Sequence, residues 1–307
     1  MTSRANRAVD YRFRRMLDQE EWIVSVEVDP PHGLSAEAGI AAAAALRDAG
    51  VDCIDVGDSP MASVRMSPLS FAVAAQERVG VEAIMHFTSR DRNLMALQSD
   101  LLGAHMLGLR SVIALSGDPP SLGRYASAKA VWDVKAEGLI ELIAGLNAGV
   151  DSAGNPLGGK TEFTIATAAN PNTPDLAAEL ERMRGKAERG AHLFMTQPCF
   201  EAEVVERFLE KAQKIGRPVL LGVMPLVSGR NARYMATQVP GITVPGVIIE
   251  KMEAAGEGAG ELGLEIARRF IETVRSWCAG IYLIPLLGKM DGVVRLVGEL
   301  RGGVGRA

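Results

Sequence analysis

Ile23-Val24-Ser25-Val26-Glu27-Val28-Asp29-Pro30-Pro31 is the stretch on which the fold turns. The run from Ile23 to Val28 reads as a strand. Strand side chains alternate, so Ser25 and Glu27 share one face and Val24, Val26 and Val28 the other. The strand leaves through a carboxylate and two prolines. An open doubly wound sheet carries a glycine-rich turn after its first strand, and this ending rules such a turn out.

The same unit recurs outward from there. Short β-branched runs at Cys53–Val56, Glu82–Phe87, Ser111–Leu115, Phe163–Ala168, His192–Thr196, Pro218–Val223 and Gly280–Ile284 bring the strands to eight. Helix-patterned stretches lie between them, among them Ala36–Ala49, Arg92–Leu107, Lys135–Asn147, Asp175–Arg189 and Glu201–Ile215. Gly50, Gly108, Gly190 and Gly216 follow such stretches, where a left-handed cap is expected. Eight βα units without a composition break predict an α/β chain folded as a single-domain (β/α)8 TIM barrel over residues 21–307, with 1–20 as an N-terminal extension or helix. The loose 246–262 stretch is expected to add a helix before the eighth strand.

Composition narrows the function. The net charge of −4 argues against nucleic acid as a partner. Cys53, Cys199 and Cys278 are few and scattered, which suggests neither a disulfide framework nor a metal site and fits a reducing, cytoplasmic location. The longest apolar runs, such as Pro218 to Val227, are about ten residues, short of the roughly 20 that span a membrane. The basic start (Arg4, Arg7, Arg12, Arg14, Arg15) has no apolar core and is interrupted by Asp10, so a frayed helix is expected rather than a secretory signal.

A barrel of this kind carries its chemistry at the C-terminal ends of its strands. The polar residues there are Glu27, Asp55, Asp58, His86, Thr88, Asp118, Asn170 and Gln197, and Lys186 in the fifth helix approaches the same rim. An inward carboxylate at Glu27 is costly unless partnered or protonated, and burial raises its pKa toward the range of a general acid; a structural ion pair would give the same sequence. His86 at a strand end suits either a ligand contact or a structural hydrogen bond. In Ser116-Gly117-Asp118-Pro119-Pro120 the glycine admits a close ligand, the aspartate accepts from N–H donors and the prolines stiffen the exit, although Gly-Asp-Pro also makes simple turns. Gln197 offers a donor and an acceptor to a lactam edge, or caps a loop. Gly258-Ala259-Gly260-Glu261-Leu262-Gly263 matches G-x-G-x-x-G but follows a helical stretch, so the dinucleotide context is missing.

Taken in order, these strand ends resemble the methylenetetrahydrofolate reductase family. Ser25 to Pro31 resembles its S-F-E-F-F-P-P opening, His86-Phe87-Thr88-Ser89 its H-L-T-C, Leu115 to Pro120 its L-R-G-D-x-P-P, and Lys186, Gly190-Ala191 and Thr196-Gln197 its K-x-x-A-G-A…T-Q stretch. Asp52 to Asp58, Arg65-Met66-Ser67 and Val131 to Val134 look closest to the branch also found fused to a homocysteine methyltransferase. The resemblance implies FAD at the barrel mouth, NADH or NADPH as electron donor, and reduction of 5,10-methylenetetrahydrofolate to 5-methyltetrahydrofolate. Carried over, Glu27 is the general acid, Asp118 lies by flavin and pterin with a catalytic share, Gln197 reads the pterin, and His86, Gly117 and Lys186 contact FAD. A homo-oligomer is expected.

The chain also departs from the family pattern. Ser116 replaces an arginine and Gly57 a threonine, Ala168-Ala169-Asn170 replace a Tyr/His pair, and no aromatic residue stands near Val227 to Arg230. Two other functions therefore remain open at this point. One is a folate-binding or electron-relay subunit that needs an electron-donating partner subunit, and the other is a folate-dependent methyltransferase barrel.

Overall fold

The structure, a computed structural model, describes residues 9–286 and 289–302; Arg4, Arg7 and the rest of 1–8 lie outside the described residues, as do 303–307. Strands β1 (Ile23–Glu27), β2 (Cys53–Val56), β3 (Glu82–Thr88), β4 (Ser111–Leu115), β5 (Thr164–Ala169), β6 (Leu193–Pro198), β7 (Val219–Val223) and β8 (Gly280–Leu283) run parallel in sequence order. They close into a barrel by pairing of β1 with β8. The expected (β/α)8 barrel is the fold, and each strand lies within two residues of its expected bounds.

Alternation along the strands divides the interior into two packed regions. Val24, Val26, Ile54, Val56, Met85 and Phe87 face outward and bury against the helices. Ile23, Cys53, Ile84, Ile113, Leu193 and Leu220 face inward and fill the barrel. Helix α1 (Phe13–Asp18) closes the bottom, where Phe13 and Met16 join that inner cluster. The Phe13 N–H donates to Glu82 Oε2 at 2.9 Å. The stretch expected as a frayed helix is, from Phe13 onward, a plug. Asp52 accepts the Val24 N–H at 2.8 Å and pairs with both Arg12 and Arg301, so chain start, first strands and last helix are tied together. With the bottom filled by Phe13 and Met16, the cavity among the described residues lies at the C-terminal end of the barrel.

The outer layer comprises α2 (Glu37–Asp48), α3 (Pro68–Val79), α4 (Leu94–Met106), α5 (Ala136–Ala148), α6 (Leu176–Glu188), α7 (Ala202–Ala212), α8 (Gly229–Gln238), α9 (Gly246–Ala254), α10 (Ala259–Val274) and α11 (Met290–Gly302). Gly50, Gly108, Gly190 and Gly216 all take positive φ at helix ends, as their placement predicts. The 246–262 stretch holds α9, a short 3-10 turn and the start of α10 rather than one added helix. Together with α8 these cover an apolar cluster of Met224, Leu226, Ile242 and Met252 beyond β7.

The G-x-G-x-x-G match lies at the start of α10, after a short 3-10 turn and not after a strand. Gly263 is buried there, and a Cβ on it would overlap the backbone carbonyl of Leu226. Gly260 has open space around it. Gly263→Ala is therefore expected to destabilise the chain by about 1–3 kcal/mol. Gly260→Ala should be neutral or gain up to about 1 kcal/mol from helix propensity. Denaturant unfolding of the two variants checks this; equal losses in both would contradict the packing explanation.

Candidate active site

The C-terminal ends of the strands open into a cavity of about 710 Å³. Glu27, His86, Gly117, Asp118 and Gln197 all line it, although they come from four different strand ends. Lys186 does not. It is nine-tenths buried on α6, and its Nζ donates to the carbonyl of Ala168 at 2.7 Å, one residue behind the cavity wall. Burial holds its pKa below the usual lysine range.

Glu27 is the last residue of β1 and points inward, as the strand alternation requires. The Tyr282 hydroxyl of β8 donates to its Oε2. Its Oε1 takes no hydrogen bond from the described residues and lies on the side of Gly57. Burial raises the Glu27 pKa to about 7; the positive character of His86 opposes the rise, Asp29 adds to it, Tyr282 opposes it and Asp55 adds to it. Asp55 is fully buried in register with Glu27 and accepts from the Ser25 hydroxyl. His86 Nε2 stands 3.9 Å from Asp55 Oδ1. Burial alone would lower the His86 pKa, but Asp55, Glu27 and Asp29 outweigh it and the net shift is upward.

The opposite rim is built by two crossing loops. Gly117 takes φ +81°, and a Cβ there would sit 3.0 Å from both Thr88 and Arg90, so only glycine fits. Asp118 Oδ2 accepts the Met61 N–H at 2.8 Å. That contact holds Ser59, Met61 and Ala62, all left-handed, across the mouth. Arg90 donates to the carbonyls of Ser59 and Asp118 and pairs with Asp91. Ser116, where the family has arginine, accepts the Ala136 N–H at 3.0 Å, and its carbonyl accepts the Trp132 indole N–H at 2.7 Å. Trp132 thus pins the loop from outside the cavity. Asp58 accepts from the Thr88 N–H and hydroxyl and from Arg92, which makes it a clamp between β2 and β3.

Gln197 ends the far wall, and no group among the described residues engages its amide. Where an aromatic residue is missing after β7, the wall consists of Met224, Val239, Pro240 and Ile242. Asn172 secures this wall by donating to the carbonyls of Pro198 at 2.9 Å and Gly241 at 3.1 Å. Asn170 lies outside the cavity, with its N–H on Glu179.

Tyr282, Arg90 and Asp29 escaped the sequence reading. Tyr282 had a usable signal, because Gly280, Tyr282 and Ile284 alternate onto the inner face of the strand that closes against β1. Asp29 had none. Its Oδ1 fills the space beside Gly57, and Arg65 pairs with it at 3.2 Å.

The mouth of the plugged barrel thus joins a carboxyl whose pKa is raised by burial, an unengaged amide and apolar walls in one cavity. The family model for methylenetetrahydrofolate reductase matches residues 12–284, and the chain belongs to that family, whose members are oxidoreductases. It is 25% identical over 307 residues to a probable methylenetetrahydrofolate reductase (NADPH) of Caenorhabditis elegans, covering 94% of this chain and 44% of that protein. It is 26% identical over 168 residues to 5,10-methylenetetrahydrofolate reductase of Salmonella typhimurium, covering 52% of this chain and 50% of that one. The chain thus spans about half or less of these relatives. Among solved structures, an uncharacterized protein from Clostridium thermocellum that binds two copies of 5-methyl-5,6,7,8-tetrahydrofolic acid superposes with a TM-score of 0.69 at 13% identity, over 94% of this chain and 98% of that one. That likeness concerns the fold.

Gly57 and Asp29 form a matched pair. A Cβ at Gly57 would lie 2.6 Å from Asp29 Oδ1. Restoring the family threonine by Gly57→Thr should cost about 1–3 kcal/mol of stability through overpacking. Asp29→Ala in the same chain should recover most of that cost. A double-mutant cycle measures the coupling, and simple additivity would refute the pairing.

Proposed function

We propose that this chain reduces 5,10-methylenetetrahydrofolate to 5-methyltetrahydrofolate at the barrel mouth, with FAD as cofactor and NADH or NADPH as electron donor, in the cytoplasm. The observation that carries the reading is Glu27, an inward carboxyl with a pKa of about 7 that shares one cavity with Asp118 and Gln197. Family membership supports the reaction class.

The residues present fit a flavin ring. Gly117 leaves the backbone bare on one side, Leu115, Met195 and Ile284 supply apolar walls, and Asp118 and Gln197 supply polar edges. Lys186, expected to contact the cofactor, spends its Nζ on the Ala168 carbonyl behind the wall, so the exposed Arg124, Lys129 and Lys135 of the loop after β4 are the cations that would answer the phosphates. His86 and Gly117 would flank the ring. When bound, the flavin supplies the hydride that ends on the folate carbon.

The chain's own part is acid catalysis and orientation. Gln197 offers a donor and an acceptor to the pterin edge, and Asp118 offers an acceptor. Glu27 holds a proton at Oε1, because Tyr282 occupies Oε2. Delivered to the nitrogen that leaves as the five-membered ring opens, that proton yields an iminium carbon able to accept hydride. The apolar wall of Met224, Val239 and Ile242 keeps water from that carbon.

Purified protein supplied with FAD and reduced nicotinamide should convert methylene- to methyltetrahydrofolate. Glu27→Gln should lower that rate by about 10²–10⁴-fold while folate binding stays within a few-fold. The acid is active in its protonated form, which predominates below its pKa. The folate half-reaction should therefore be fastest below pH 7 and fall about tenfold per unit above it, with a midpoint near the Glu27 pKa of about 7. No turnover with any donor would overturn the reading, and turnover only on adding a second protein would favour the electron-relay alternative.

A further inference from the structure

Asp55 has no part in the reaction described above, yet it is fully buried beneath the mouth. A buried carboxylate is tolerated only when its lone pairs are answered. Oδ2 is answered by the Ser25 hydroxyl. Oδ1 has no hydrogen-bond partner among the described residues, and neither does His86 Nε2. These two unanswered atoms face each other at 3.9 Å. The opposite signs of a carboxylate and an imidazolium make each the natural partner of the other. His86 also interacts electrostatically with Glu27, and its ring centroid lies 6.2 Å from that of Tyr282, the donor to Glu27 Oε2. β1, β2, β3 and β8 thus each contribute to one buried chain: Ser25, Asp55, His86, Glu27, Tyr282.

We propose that Asp55 and Tyr282 are positioning residues for the acid. Asp55, held by Ser25, fixes the His86 ring and keeps it an imidazolium against Glu27, while Tyr282 takes Oε2, so that Oε1 alone carries the transferable proton. The imidazolium then balances the carboxylate that remains once the proton has left. The groups facing Glu27 are His86 from β3, Asp55 from β2, Tyr282 from β8 and Asp29 from the end of β1, the last paired with Arg65. The proposal rests on the reading of Glu27 as the acid, but its first test does not use turnover.

The chain has four histidines, His32, His86, His105 and His192. Burial lowers His105 and His192, whereas His86 is raised above its ordinary 6.5; in an NMR titration the His86 ring resonances are assigned as those lost in His86→Gln. Asp55→Asn keeps the shape and an acceptor for Ser25. It should drop the His86 midpoint by about one pH unit or more, and Glu27→Gln should drop it by less. Ser25→Ala, a milder change, should move it in the same direction. Tyr282→Phe removes the donor to Oε2, so the alkaline limb of the folate half-reaction should move to higher pH with KM within about twofold. An unmoved His86 midpoint in a folded Asp55→Asn protein overturns the proposal, as does an unmoved alkaline limb in Tyr282→Phe. A His86 midpoint that falls as expected in a protein without folate turnover would support the coupling and strike the reaction instead.

Discussion

The structure depends on one constraint: a carboxyl sits on the inner face of a closed barrel, at the end of its first strand. In water Glu27 would ionise well below neutrality. Inside the barrel, burial works against the charge, and the neighbouring Asp29 and Asp55 add to that effect. His86 and the Tyr282 hydroxyl work the other way, and the balance leaves the proton poised near neutral pH. Barrel closure is what creates this balance, because β8 brings Tyr282 beside β1 and β3 brings His86 from the other side. The plug at Phe13 and Met16 closes the bottom, so the cavity above is the way in.

Around that centre, positions where the resemblance implies other residues are held by local contacts. The arginine lost at Ser116 leaves a hydroxyl that caps α5 and a carbonyl held by Trp132, so the loop keeps a fixed path. The threonine lost at Gly57 leaves room that Asp29 enters, and this in turn pushes the Glu27 pKa upward. The aromatic missing after β7 is replaced by an aliphatic wall tied down by Asn172. Glu27, Asp118 and Gln197 nevertheless line one cavity.

Much of this was legible in the sequence. Eight βα units pointed to a barrel, and the exit of the first strand through Asp29-Pro30-Pro31 ruled out the turn of an open sheet, because strand alternation and turn chemistry are local properties. Five of the six expected site residues line the cavity. Lys186 shows the limit: a helix position does not tell whether a flexible lysine reaches the mouth or, as here, the carbonyl of Ala168 behind it. The pairing of Asp55 with His86 and of Asp29 with Gly57 depends on distances between strands far apart in sequence, which no local pattern encodes. The bottom plug was hidden for the same reason, since Phe13 acquires its role only when eight strands surround it.

The most direct test is an infrared difference titration of the intact protein against Glu27→Gln, following the carbonyl band of a protonated carboxyl. The account predicts a band absent from the variant that disappears with a midpoint near pH 7. A Glu27 carboxyl that ionises near its ordinary 4.5 would contradict it, because no proton would then be held at the mouth for the reaction.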